Sequence, residues 1–158
     1  MKEIQLTQGK VTQIDDEDYE WLNQWKWCAA KGRNTFYAIR TMINNGHRHT
    51  TRMHRFILNA PIGIDIDHRD CHGLNNQRYN LRPCTIQQNQ MNQVSCATAS
   101  SIFKGVSWCK KSKVWVSYIY NNYKRFHLGS FKSEIEAAKK YDEAALNLFG
   151  EFARTNFN

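Results

Sequence analysis

Two different hydrophobic periods run along this chain. In the first half, Asp16–Gln24 reads as a short amphipathic helix. The run TFYAIRTMI, the triplet Asn44-Asn45-Gly46 and the run HRHTTRM predict a hairpin, because Asn-Gly tolerates the positive φ of a tight turn. MHRFILN, residues 53 to 59, suits a short helix that ends before Pro61. Ile64–His68 predicts a strand, residues 69 to 79 with Gly73 and Asn75-Asn76 predict a loop, and Leu81–Thr85 predicts a second short strand. Thr85 stands where it would cap a helix through IQQNQMNQ.

The second half alternates with period two. Phe103–Cys109, Val114–Tyr120 and Tyr123–Leu128 predict three strands. With Asn121-Asn122 as a two-residue turn, Tyr120 would face Tyr123, Tyr118 would face Arg125 and Val116 would face His127. Trp115, Ser117, Ile119, Phe126 and Leu128 would then share an apolar face. A helix follows, with Ser133 and Glu136 as a capping box and Gly150 at its end. Its stripe of Ile135, Ala138, Tyr141, Ala145, Leu148 and Phe149 would cover the apolar face of the sheet. SCATASS, residues 95 to 101, is small and weakly polar and suits a linker. The expected organisation is therefore 1–94, a linker at 95–101, and 102–158.

Charge narrows the partner. The 158 residues carry a net charge of +8. Acidic residues cluster in DDEDYE, residues 15 to 20, and none occurs from there to Asp65, a stretch holding Lys26, Lys31, Arg33, Arg40, Arg48, Arg52 and Arg55. A second acid-free stretch, 102 to 133, holds Lys104, Lys110, Lys111, Lys113, Lys124, Arg125 and Lys132. Such an excess favours a polyanion. No apolar run approaches the roughly 18 residues that span a bilayer. The start, MKEIQLTQGK, has no apolar core of a secretory signal, so nucleic acid is the expected partner and a membrane is not. Five cysteines, Cys28, Cys71, Cys84, Cys96 and Cys109, include no Cys-x-x-Cys pair. That suits reduced thiols in an intracellular, cytoplasmic chain.

Phosphodiester hydrolysis needs an activated water, a cation and help for the leaving oxygen. Asp67 offers a hard oxygen ligand, His68 a base of ordinary pKa about 6.5, and Asn89 an amide oxygen. Oxygen donors suit Mg2+ or Mn2+ better than zinc. By itself the Asp-His pair is a weak signal and better suits an ordinary solvated strand end. His47 and His49 read as solvated. His54 suits either a phosphate contact or plain packing. Cys71, His72 and Cys84 match no zinc spacing, and Asp65 and Asp70 read as loop acids.

His68, Asn80 twelve residues on within Tyr79-Asn80-Leu81-Arg82, and Asn89 nine further resemble the HNH endonuclease motif of phage and intron homing endonucleases. Met53-His54-Arg55, Leu74-Asn75-Asn76, Gln88-Asn89 and Asn92 fit the flanks, so the resemblance covers about 50 to 93. It implies a ββα-metal fold, His68 as general base, Asp67 and Asn89 as ligands of one divalent ion, and Asn80 as the residue that braces the loop and orients His68. Many HNH enzymes have His where this chain has Asn89, which favours Mg2+ or Mn2+.

Residues 102 to 158 resemble the apetala-two, or plant ethylene-response-factor, DNA-binding domain. The matching text is Lys104-Gly105-Val106, Trp115, Ile119, Leu128-Gly129-Ser130-Phe131, Glu136-Ala137-Ala138, Tyr141-Asp142, Ala144-Ala145, Gly150 and Asn156-Phe157. The resemblance implies a three-stranded antiparallel sheet on one helix. It also implies DNA contacts from Lys104, Ser107, Tyr118, Tyr120, Arg125 and His127. Trp108, Lys110, Lys111, Lys113 and Tyr123 lie near that face by pattern, and Arg48, Arg52 and Arg55 would add contacts from the first half. The combined expectation is an α+β chain: a metal-dependent, homing-endonuclease-like DNA endonuclease with sequence-directed binding by its C-terminal domain. A DNA-binding regulator with an idle HNH module and a zinc-scaffold or protein-interaction module are the alternatives. The pattern leaves the oligomeric state, a monomer included, open.

Overall fold

The computed structural model describes residues 1–93 and 100–157, so most of the expected linker, with Cys96, lies outside the described residues. The chain divides into two compact units, Met1–Ile86 and Gln87–Asn158. It is a mixed α and β protein built from several small antiparallel sheets.

The first unit holds three of them. β1 (Lys2–Gln5) pairs with β2 (Val11–Ile14); β3 (Cys28–Lys31), β4 (Phe36–Asn44) and β5 (His47–Arg52) form the second; β6 (Asp65–His68) pairs with β7 (Leu81–Cys84). β1 to β3 were not foreseen from the pattern. The β4–β5 turn is the expected Asn45-Gly46, at φ 49° and 76°. α1 (Asp16–Asn23) opens on Asp16, Glu17 and Asp18, carboxylates that suit the positive end of a helix dipole. α2 (Met53–Ile57) leads toward β6. One core joins the three sheets: Ile4, Ile14, Leu22, Trp27, Ala38, Met53, Ile57, Ile66 and Leu81 are buried together. Burying each large side chain contributes about 1.5–3 kcal/mol.

The second unit contains most of α3 (Ile86–Met91), then β8 (Val106–Cys109), β9 (Val114–Asn121) and β10 (Lys124–Phe131) in the order β10-β9-β8, and α4 (Glu134–Phe149). The β9–β10 register differs from expectation. The left-handed turn residues are Asn122 and Tyr123, at φ 50° and 60°, so Tyr120 pairs with Arg125 and Tyr118 with His127. A slip of two residues keeps every side chain on its face. The register then shifts between His127 and Gly129, and Val116 pairs with Ser130 instead of His127.

α4 ends at Gly150, whose φ of 53° and ψ of −125° lie outside the left-handed helical region, in a conformation that glycine adopts readily because it has no Cβ. The capping box does not form: the Ser133 side chain makes no capping hydrogen bond, and Glu134 instead accepts the Ser101 hydroxyl at 2.7 Å. The buried stripe is Ala137, Ala138, Tyr141, Asp142, Ala145 and Phe149. Ile135 and Leu148 lie outside it and are exposed, because alanines bring the helix close to the sheet along a narrower line. Asp142 is buried because its carboxylate accepts the backbone N–H groups of Asn156 and Phe157 and the Asn156 amide, tying down the C-terminal tail. Among the described residues no helix is long and apolar enough to cross a membrane.

Candidate functional site

The β6–β7 pair carries the residues with the most chemistry. Its register sets Asp67 opposite Arg82 and His68 opposite Leu81. Arg82 donates to Asp67 Oδ2 from Nε at 2.9 Å and from Nη2 at 2.7 Å, and both side chains are about 6% exposed. The cross-strand position makes this pair, and burial of both charges makes it obligatory.

His68 ends β6 and is buried. Its Nε2 lies 3.4 Å from Asn76 Oδ1. Its ring meets His54 edge-on at 4.9 Å and Tyr37 at 5.9 Å between centroids. Burial holds the His68 pKa below the ordinary histidine value; the Asn76 contact and the Asp70 and Asp67 carboxylates oppose that shift, and the Arg52 charge adds to it. The imidazole is thus neutral at neutral pH, the state in which it accepts a proton. His54 packs rather than facing solvent. Burial first, then the nearness of His68, Arg52 and Arg55, which disfavours a second positive charge, bring its pKa to about 2. His47 and His49 are exposed, as expected.

The loop between the strands is fastened at both ends by Asn80. Its Nδ2 donates to Asp70 Oδ1 at 2.9 Å and to the Asn75 carbonyl at 2.8 Å, its Oδ1 accepts from the Asp70 N–H at 3.1 Å, and its carbonyl accepts from the Arg69 N–H at 2.9 Å. Asp70 also accepts from the His72 N–H and from Asn75 Nδ2, so this loop acid is a structural hub. Gly73 lets the loop touch β4: a Cβ there would sit 2.5 Å from the Phe36 carbonyl and 2.7 Å from the Tyr37 ring. The acidic cluster has a role that the sequence did not signal. Asp18 takes Arg78 Nε at 2.9 Å and Nη2 at 2.6 Å, and Asp15 takes the Arg78 N–H, anchoring the loop to α1.

Asn89, half-buried on α3, falls in the second unit, while Asp67 and His68 fall in the first. Among the described residues no cluster of three His, Cys, Asp or Glu side chains is arranged to hold a metal, Cys71, His72 and Cys84 included.

In the second unit the outer face of the sheet gathers Ser107, Tyr118, Tyr120, Arg125 and His127. The Arg125 guanidinium lies 4.1 Å from the centre of the Tyr118 ring, and Tyr118 meets Tyr120 edge-on at 5.8 Å. Lys110, Lys111 and Lys113 are exposed on the β8–β9 turn, and Tyr123 is exposed on the β9–β10 turn. Trp108 does not join this face. It alternates with Ser107, shares the side of Val106, and packs against Trp115 at 5.0 Å. Lys104 donates from Nζ to the Met91 carbonyl and is half-buried.

In the first unit the far end of the β4–β5 ribbon, residues 43 to 50, is exposed on both faces and includes Arg48. Arg52 stacks over Tyr37 at 5.1 Å. Arg55 is committed elsewhere: it donates to the carbonyls of Ala60, Pro61 and Ile64, clamping the turn before β6.

The AP2 domain profile matches residues 101–151. Over 142 residues the chain is 35% identical to an uncharacterized HNH endonuclease of Acanthamoeba polyphaga mimivirus, a match covering 85% of this chain and 68% of that protein. Over 59 residues it is 37% identical to APETALA2-like protein 2 of Oryza sativa subsp. indica, and equally to that of subsp. japonica. That match spans 37% of this chain and only 14% of the plant proteins.

Proposed function

Since this chain belongs to the HNH endonuclease family and carries an AP2 domain, we propose that it is a metal-dependent endonuclease acting on double-stranded DNA. The observation that carries the reading is His68, a buried, neutral imidazole at the end of β6, beside a loop fastened by Asn80. In this reading His68 takes the proton of the attacking water. Asn80 keeps the loop, and with it His68, in place.

Asp67, at the end of β6, would be an oxygen ligand of the kind a hard ion takes. Oxygen ligands suit Mg2+ or Mn2+, which keep water and phosphate oxygens in their remaining positions. The ion, when bound, supplies charge stabilisation at the scissile phosphate and the leaving oxygen. The Arg82 contact already neutralises Asp67, which favours the second reading, a DNA-binding protein whose HNH module is idle.

Binding follows from the two basic surfaces. The sheet of the second unit, with Arg125, Tyr118, Tyr120, His127 and Ser107, would read base edges and sugars, and Lys110, Lys111 and Lys113 would neutralise phosphates. Arg48 and Arg52 on the β4–β5 ribbon would add contacts. Incubation with supercoiled plasmid tests the whole. Nicking or linearisation with Mg2+ or Mn2+, abolished by EDTA, supports the endonuclease. DNA binding with no cleavage in either metal supports the idle-module reading instead.

A further inference from the structure

Thr12 stands on β2, far in sequence from the β6–β7 loop, yet its fully buried hydroxyl joins that loop to His68. Thr12 Oγ1 lies 2.8 Å from the Leu74 carbonyl and 2.7 Å from Asn76 Nδ2. The backbone around it makes the same connection: Gln13 N–H donates to the Leu74 carbonyl, and Asn76 N–H to the Gln13 carbonyl, both at 2.8 Å.

Proton counting orients the Asn76 amide. Each of the two short contacts of Thr12 needs a proton between its atoms. The threonine hydroxyl has one, and the Leu74 carbonyl has none. The hydroxyl proton therefore serves Leu74, and the Asn76 amide must supply the other. That turns Nδ2 toward Thr12 and Oδ1 toward His68 Nε2, the longer contact at 3.4 Å. Oδ1 can only accept, so Nε2 must carry the proton of the neutral ring.

Resting on the reading of His68 as the base, we propose that Thr12 and Asn76 are positioning residues that hold His68 as its Nε2–H tautomer, leaving Nδ1 as the atom that accepts the proton of the attacking water. The first β-hairpin of the chain thus sets the chemistry of a residue more than fifty positions later.

The test uses the full chain labelled with 15N-histidine at pH 8, with the His68 signals assigned by their loss in His68→Ala. The expected spectrum has a protonated Nε2 and an unprotonated Nδ1. Thr12→Val removes the hydroxyl while keeping the shape of the side chain. It should mix the two tautomers and lower kcat by roughly 10- to 100-fold, part of the roughly 10²–10⁴-fold that a positioned base contributes, with KM for DNA unchanged. Thr12→Ser keeps the hydroxyl and should restore both. A proton on Nδ1 in the wild type overturns the proposal without any variant. So does a Thr12→Val enzyme that cuts at the wild-type rate while His68→Ala is inactive. Wild-type cutting by His68→Ala itself instead removes the base reading on which the proposal stands.

Discussion

Arg82 grips Asp67 across the β6–β7 pair with two hydrogen bonds to one carboxylate oxygen, Oδ2, and both residues are buried. Neither charge has water to fall back on. Removing Arg82 takes away the countercharge of a buried carboxylate, a change that typically costs about 3–5 kcal/mol. Arg82→Leu should therefore destabilise the first unit by about that amount in a denaturant titration, and Asp67→Asn combined with Arg82→Leu should recover a good part of it. Equal losses in the single and double variants would mean that the pair is not coupled.

His54 makes stability depend on pH. Its pKa falls from 6.5 in the unfolded chain to about 2 in the fold, chiefly through burial. Between those values the unfolded chain binds a proton that the native chain does not, so stability is flat above pH 6.5 and is lost as pH falls below it. The slope from this residue is about 1.4 kcal/mol per pH unit. The lowered pKa of His68 acts in the same direction. Urea melts between pH 7.5 and 4.5 measure the slope, and His54→Phe should flatten it. An unchanged slope in that variant would place the titration elsewhere.

Gly105 is where the second unit has no room. At φ 75°, an added Cβ would lie 2.0 Å from the Tyr141 ring and 2.6 Å from the Tyr118 carbonyl. Gly105→Ala combines backbone strain with a clash at the sheet–helix contact and should cost about 3 kcal/mol or more. The expected signs are loss of near-ultraviolet tryptophan and tyrosine signals from this unit and weaker DNA binding. Full affinity in the variant would separate the sheet from recognition.

Contacts to phosphates and to base edges separate in a salt series. Lys111→Ala, on an exposed turn, should weaken binding to all sequences and reduce the slope of log K against log salt by about one. Arg125→Ala should cost about 1–3 kcal/mol on the preferred site and relax the preference there. Identical losses on preferred and random DNA would make Arg125 a phosphate contact.

Local signals were readable where a residue type enforces a conformation. Asn45-Gly46 marked its turn because two consecutive positive φ values favour that pair. The same reasoning misplaced the β9–β10 turn by one residue, since Tyr123 takes a left-handed conformation that its type does not announce. β1 and β3 were missed because short strands such as KEIQ and CAAK carry too few alternating apolar residues to show a period. Among the candidate site residues, His68 and Asn80 stood out through the resemblance to the HNH motif, since the Asp-His pair by itself is weak. Their supports did not: Thr12 meets Asn76 across 64 positions, and Arg78 meets Asp18 across 60. Such pairings arise from the packing of the three small sheets, and nothing local encodes them. Trp108 shows the reverse difference, an aromatic residue expected near the outer face that alternation with Ser107 turns to the helix side.

The central claim is that His68 does chemistry. Single-turnover cleavage of a plasmid with Mn2+ or Mg2+, wild type beside His68→Ala, tests it most directly, with DNA affinity measured on the same preparations. The account predicts cleavage slowed by roughly 10²–10⁴-fold with affinity nearly unchanged. Cleavage by His68→Ala at the wild-type rate would contradict it.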